Sequence, residues 1–304
     1  MSLFSNQRLI NVANPINKNH ILARDLAHWW MCLPGLMGGE YMHDLMASTR
    51  DPLTSASHAQ RMTTTPGGDT YTNDPTWNLG TNRAGGFGHM VNPAFANPSG
   101  FMQCGDILNV GATYDFSLLG NINIIAHKDL SDCIVGQEAQ TGVGIVLFIV
   151  PTTHQLRLNM SGTTLTGTTA ILTEKWYQCV VTWTSAASSL ASIYLNGSLE
   201  ASGTGFSGRA IGNPAWQFIF SGNPNITSAR PLSARFDDFR VYNRCLSAEE
   251  VKAIYFNSLA GYPDLLQRIG QISYASSALS SGPIKYRRTF SQFGTHSGGR
   301  QVIQ

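Results

Sequence analysis

The stretch Arg235–Pro263, R-F-D-D-F-R-V-Y-N-R-C-L-S-A-E-E-V-K-A-I-Y-F-N-S-L-A-G-Y-P, decides the fold. Its first part alternates as a strand does. Phe239 and Val241 fall on one face, and Phe236, Asp238 and Tyr242 on the other. A helix start follows. Ser247 and Glu250 stand at the spacing of a capping box, with Leu246 and Val251 as the flanking hydrophobic staple. Val251, Ile254, Tyr255 and Leu259 recur at helical spacing as one apolar stripe. Gly261 suits the left-handed position after the helix, and Pro263 prevents continuation. A strand therefore runs into a short amphipathic helix that must pack back on something.

Working outward, Trp176–Trp183 is a strand with Tyr177, Cys179, Val181 and Trp183 on one face and Gln178 and Thr182 on the other. It is followed by A-S-I-Y-L-N-G-S-L-E, where Asn196-Gly197 is a strong type I′ hairpin signal. Trp216–Phe220 reads as a further apolar strand. Upstream, F-M-Q-C-G-D-I-L-N-V (101–110), I-N-I-I-A-H-K (122–128), V-G-I-V-L-F-I-V (143–150) and L-R-L-N-M (156–160) are strand-like. Turn chemistry at Gly111, Lys128-Asp129, Gly142 and Pro151 separates them. The segment Ala47–Pro98 is rich in Thr, Ser, Asn, Gly and Pro and reads as a long loop, the kind that serves a function or an interface. Within it Gly85–Gly88, G-G-F-G, lacks the Lys-Ser/Thr of a phosphate cradle and reads as a tight turn before a strand. In D-L-A-H-W-W, Trp29 and Trp30 would point to opposite faces of an opening strand, as core residues.

Several of these strings resemble laminin-G-like (concanavalin A-like) jelly-roll domains. They are F-D-D-F-R-V-Y-N-R-C-L-S-A-E-E-V, the opening L-A-H-W-W, G-G-F-G, I-I-A-H-K, and the pair W-Y-Q-C-V-V-T-W and I-Y-L-N-G. The resemblance implies an all-β fold, a two-sheet antiparallel jelly-roll sandwich with a short C-terminal amphipathic helix. It would span 25–264, between an N-terminal arm at 1–24 and a basic Gly/Ser-rich arm at 265–304. That fold serves lectins, glycosidases, adhesion modules and virion proteins alike, so function has to come from the site.

Composition narrows the classes. Of 304 residues only 12% are charged, with a net charge of +2, about half the usual charged share. This suits burial against neighbours and gives no case for nucleic acid. The C-terminal arm carries Arg268, Lys285, Arg287, Arg288 and Arg300 with no acid after Asp264, too sparse for a stripe that tracks phosphates. Cys32, Cys104, Cys133, Cys179 and Cys245 are odd in number and show no C-x-x-C spacing. They read as free thiols made in a reducing compartment, with Cys179 and Cys245 as small buried hydrophobes in strands. Met1–Arg8 does not resemble an export signal, and no stretch has the length of a membrane span.

Catalytic and metal chemistry find no foothold in the pattern. Neither G-x-S-x-G nor H-E-x-x-H occurs. None of Glu40, Glu138, Glu174, Glu200, Glu249 and Glu250 is followed two positions on by Asp, so the carboxylate set of a sandwich-fold glucanase is missing. Asp237 and Asp238 are adjacent on a strand and point apart, which suits an ion pair with Arg235 or Arg240 better than Ca²⁺. His127 lacks a second His or Cys at ligand spacing and reads as a hydrogen-bonded strand residue. No catalytic residue, cofactor or metal is expected, and no binding residue is singled out.

Two functions remain. W-W-x-x-x-P-G near the start and the basic tail resemble laminin-G-like domains among bacteriophage structural proteins. That implies a non-enzymatic virion protein made in the host cytoplasm, a capsid decoration or cement protein. Its partners would be the major capsid protein or neighbouring copies, with self-association expected. The alternative is a carbohydrate-binding adhesion module of a tail fibre or cell surface. In the first case, trimming residues 1–24 or 270–304 leaves the core folded and abolishes particle attachment. Unchanged occupancy of the trimmed protein on particles refutes that mechanism.

Overall fold

The computed structural model describes residues 20–30, 37–38, 41–42, 44–47, 59–62, 76–81, 87–92, 101–104, 107–108, 114–127, 132–138, 144–185, 189–206, 218–220 and 232–259. Of these, 37–38, 41–42, 59–62, 76–81, 87–92, 101, 103, 138, 218–220 and 257–259 are described by backbone alone. The expected arms, apart from 20–24, and the helix stop at Gly261 and Pro263 lie outside the described residues, as does Cys32.

A 3₁₀ turn (Ile21–Ala23) leads into β1 (Leu26–Trp30), β2 (Met37–Gly38), β3 (Tyr41–Met42), β4 (Ala59–Met62), β5 (Thr76–Thr81) and β6 (Phe87–Asn92). Then come β7 (Phe101–Cys104), β8 (Phe116–Ala126), β9 (Asp132–Glu138), β10 (Gly144–Ile149), β11 (Gln155–Met160) and β12 (Thr163–Ala170). The chain continues with β13 (Trp176–Trp183), β14 (Ala191–Leu195), β15 (Ser198–Gly203), β16 (Phe218–Phe220), β17 (Ser233–Tyr242) and α1 (Ala248–Leu259). These strands form two antiparallel sheets. The first runs β15-β14-β13-β8-β17-β6-β5, with β1 also on β17; the second runs β12-β11-β10-β9-β16-β7-β4-β3-β2. The protein is thus a jelly-roll sandwich with one short helix near its C-terminal end.

The main core lies between the sheets. From the first sheet it takes Phe116, Leu118, Ile122, Tyr177, Val181, Trp183, Ile193 and Phe236, and from the second Ile134, Ile145, Leu147, Leu156, Leu158 and Met160. The alternation expected for β13 holds: Tyr177, Cys179, Val181 and Trp183 all enter this core. A second apolar layer sits on the outer face of the first sheet. Leu119, Val180 and Tyr194 there meet Leu22, Trp29, Leu246, Val251 and Ile254. Residues 20–24, placed in an arm by composition, are part of this layer through Leu22 and Ala23.

α1 is capped as its spacing predicts. The Ser247 N–H donates to Glu250 Oε2 at 2.9 Å, and the Glu250 N–H to Ser247 Oγ at 3.3 Å. Leu246, Val251 and Ile254 are buried, each stabilising the contact by roughly 1.5–3 kcal/mol relative to exposure. Asn196 and Gly197 have φ of 51° and 78°, the left-handed pair that a type I′ hairpin needs. A side chain at Gly197 would also press on Tyr255 and Lys252 of α1.

Several expectations are corrected. The stretch 47–98 is not one long loop, since β4, β5 and β6 lie in it. Their pairing is set by distant partners, β7 for β4 and β17 for β6. β9 and β12 are further strands without a strong local signal, the one flanked by polar residues and the other Thr-rich and at a sheet edge. Cys245 is half-buried in the turn between β17 and α1, not in a strand. The alternation assigned to β17 breaks in its middle. Phe236 shares the inner face with Phe239 and Val241, because the register shifts between Asp237 and Arg240. Asp238, with φ 56°, supplies the extra residue. This is a β-bulge, and Asp is among the few residues that tolerate that conformation.

The bulge places Asp238 and Arg240 together on the outer face, both fully buried. Arg240 Nε donates to Asp238 Oδ1 at 2.8 Å and an Nη to Oδ2 at 3.2 Å. Trp29 Nε1 donates to Asp238 Oδ1 at 2.7 Å, and Asn121 Nδ2 to Oδ2 at 3.3 Å. The guanidinium carbon lies 4.4 Å from the Trp29 ring centroid. Replacing Asp238 with Asn keeps the backbone preference and leaves Arg240 charged without its counter-ion. The Asp238→Asn variant is expected to lose about 3–5 kcal/mol, read as a lower urea midpoint at unchanged slope.

Candidate ligand-binding face

Among the described residues the void beside Gly120, lined by Trp30, Leu147 and Phe239 among others, is about 10 Å³, room for one water at most. Trp29, Trp30 and Trp183 are fully buried, so the core reading of Trp29 and Trp30 stands and they cannot stack on a sugar. They do point to opposite sides of the sheet: Trp30 joins the main core and Trp29 the outer layer. Among the described residues the exposed large aromatics are Tyr114 and Phe256.

The outer face of the first sheet is occupied by α1 and residues 20–30. The outer face of the second sheet differs. Leu156, Leu158 and Met160 of β11 point into the core, so Arg157 and Asn159 between them point out. Register places Phe148 opposite Arg157 and Val146 opposite Asn159 on one side, and Thr166 and Thr164 on the other. The strip is graded. Cys133, Val146, Phe148 and Val150 form a separate buried apolar cluster, while Arg157, Asn159 and Thr166 are half-buried and Thr164 is exposed.

Arg157 is held in place. Its Nε donates to Thr166 Oγ1 at 2.8 Å, and its guanidinium carbon lies 5.9 Å from the Phe148 ring centroid. Both terminal nitrogens are left for other partners. Asn159 Oδ1 accepts from the Gly162 N–H at 2.9 Å, which leaves its amide N–H₂. The arrangement can recognise hydroxyl and acidic groups through its donors; the apolar cluster beside them is buried and offers a ligand little surface of its own.

Among the described residues several carboxylates are engaged elsewhere. Glu174 pairs with Arg235 at 2.6 Å, Glu250 with Arg244 at 2.6 Å, and Asp44 with His28 at 2.8 Å. Asp115 accepts from Thr184 and from Ser185. Of the expected partners for the Asp237-Asp238 pair, Arg240 takes Asp238, whereas Arg235 goes to Glu174. Glu200 links the two sheets at their open edge. Its carboxylate accepts from the N–H and hydroxyl of both Thr168 and Thr169.

At the far rim His127 is satisfied, as expected. Its Nε2 donates to the Ile171 carbonyl at 2.8 Å, and its Nδ1 lies 3.3 Å from Asp132 Oδ2. Its ring also stacks on His154 at 3.9 Å. Sequence spacing missed that neighbour, because the β10–β11 turn brings it in. Burial, and then the neighbouring His127, holds His154 below its ordinary value. Among the described residues no group of three or more His, Cys, Asp or Glu is placed to hold a metal ion, and no helix is long and apolar enough to cross a membrane.

The concanavalin A-like lectin/glucanases superfamily model matches residues 99–252, which include β10, β11 and β12. No curated protein sequence matches the chain. Among solved structures, the binding domain of Paraclostridial Mosquitocidal Protein 1 is 16% identical with a TM-score of 0.53, over 77% of this chain and 52% of that one. The binding domain of Botulinum Neurotoxin DC, in complex with SialylT, is 10% identical with a TM-score of 0.53, over 78% of this chain and 52% of that one. Domain 4 of AbnA, a GH43 extracellular arabinanase from Geobacillus stearothermophilus, in complex with arabinotriose, is 15% identical with a TM-score of 0.50, over 76% of this chain and 98% of that one. The chain thus spans about half the length of the two toxin binding domains. At these identities the likeness is one of fold.

The Glu200 clamp makes stability depend on pH. Burial pushes its carboxyl up, but the hydrogen bonds from Thr168 and Thr169 outweigh this and hold it below its ordinary value. A depressed folded value adds stability above the unfolded value of about 4.3. That stability fades as pH falls through the folded value. The urea midpoint of the parent should exceed that of Glu200→Gln at neutral pH, and the gap should narrow as pH falls below the unfolded value of about 4.3. A gap independent of pH would show that the carboxylate charge is not what holds the edge.

Proposed function

The chain belongs to the concanavalin A-like lectin/glucanases superfamily, and on that premise we propose that it is a carbohydrate-recognition module. It binds its ligand on the outer face of β10–β12 and does not cleave it. The observation that carries this reading is the graded strip itself. Arg157, Asn159 and Thr164 present fixed polar groups beside Phe148, on a sheet face where helix α1 does not lie. Two domains of this fold were solved in complex with sugar-related ligands, arabinotriose and SialylT, which supports the same class of ligand here. Binding without turnover is supported by the carboxylates. Glu174, Glu200 and Glu250, with Asp44, Asp115 and Asp238, are each engaged in folding contacts, and glycoside hydrolysis asks for a pair that faces substrate.

The second reading is the virion decoration protein with capsid and self partners. It is favoured by the 12% charged content, low for a protein that spends its life in solution. The arms through which it would act, 1–19 and 265–304, lie outside the described residues. In both readings the module acts by binding.

A glycan array probed with the full chain, followed by calorimetric titration of the hits, tests the first reading. Saturable binding to a glycan class is expected, with no new reducing ends after prolonged incubation. Binding to empty capsids with no glycan retained on the array would replace it by the second reading. Released sugar would make the protein an enzyme.

A further inference from the structure

We propose, resting on the carbohydrate-recognition reading, that the ligand is an acidic sugar whose carboxylate or sulfate is seated on Arg157. The described arginines divide sharply. Arg24, Arg235, Arg240 and Arg244 each have a carboxylate oxygen within 4.0 Å. Arg157 has none among the described residues. A half-buried guanidinium has lost part of its hydration, and an opposite charge recovers that loss more fully than the Thr166 hydroxyl and the Phe148 ring do.

The surroundings of Arg157 keep that charge open. The segment 144–170, which forms β10, β11, β12 and their turns, contains no Asp or Glu. The nearby Glu200 carboxylate is occupied by Thr168 and Thr169. Within that segment Arg157 is the one residue among Asp, Glu, Lys and Arg.

Geometry adds direction to charge. The backbone of β11 is fixed by Leu156 and Leu158 in the core. Thr166 takes Nε and Phe148 limits the plane of the group. The remaining edge, with two parallel N–H vectors, matches the two oxygens of a carboxylate or of a sulfate. A single guanidinium suits one acidic group per sugar ring. It does not suit a polyphosphate chain, which needs a row of cations. The Asn159 amide N–H₂ and the Thr164 hydroxyl stand next on the same face and would meet neutral hydroxyls of the ring.

The test uses the full chain titrated at low and moderate salt with sialyllactose, a galacturonate trimer, a sulfated disaccharide and, as neutral control, lactose. At least one acidic probe is expected to bind tenfold or more tightly than lactose, and more weakly as salt rises. Preference among the carboxylates or for the sulfate identifies the acidic group. Arg157→Gln should remove the acidic preference. Arg157→Lys should retain part of it, because charge stays while the fork is lost. Thermal midpoints of both variants confirm that the fold is kept. Equal binding of acidic and neutral probes, or an acidic preference that survives Arg157→Gln, overturns this inference and leaves the carbohydrate reading standing. Failure of all three acidic probes overturns this inference, and if the glycan array retains no sugar either, both readings fall.

Discussion

The buried pair of Asp238 and Arg240 is the contact on which the sandwich closes. It sits on β17, the strand with the most neighbours. One edge of β17 pairs with β8; the other pairs first with β6 and then with β1. The handover from β6 to β1 falls at the bulge, where Asp238 turns through positive φ. Two charges taken from water would oppose folding if left with each other alone. Here the carboxylate also takes the Trp29 and Asn121 donors, and the guanidinium rests on the Trp29 ring. Tyr242 completes the set by donating to the Leu22 carbonyl at 3.0 Å. Burial raises the Tyr242 hydroxyl, against the opposing pull of Arg240, so it stays neutral and able to donate. The start of the domain is thus tied to its end across more than 200 residues through polar bonds that fit only one register.

That closure also decides which surface is left for recognition. The outer layer that carries the pair extends under α1, so the first sheet is covered on both faces by its own chain. The second sheet meets the first through β11's inner residues and presents Arg157 and Asn159 on the other side. The location of the proposed ligand face follows from which sheet the helix covers. Helix placement follows in turn from the bulged strand that leads into it.

Much of this was legible in the residues. Ser247 and Glu250, Asn196-Gly197 and the alternation of β13 are local signals whose physics is complete within ten residues, and each is found in place. The pairing of one Asp with Arg240 was also legible, because adjacent strand carboxylates point apart. The bulge was not. Strict alternation sent Phe236 outward, and only pairing with β8 and β6 shows that an extra residue intervenes. β12, T-T-L-T-G-T-T-A, carries one large apolar residue, and it is a strand because β11 lies beside it. The strip containing Arg157 escaped notice for the same reason. Phe148, Arg157 and Thr166 come from three strands, and no spacing in the chain announces their meeting.

Low charge content gives this arrangement its meaning. A protein with few ionic groups can place most of those on its described surface into defined contacts, and this one does. Its described carboxylates hold an edge, a cap, a bulge and two turns. In a highly charged protein an arginine without an acid would be one of many on a screened surface. On a sheet segment without any acid it is the dominant local charge, and it is oriented before any partner arrives. Preorganised donors of this kind bind more tightly than mobile ones, because less motion is lost on association. The same scarcity of charge that first suggested a protein packed among neighbours therefore also leaves a single oriented guanidinium as the charged group of the segment 144–170.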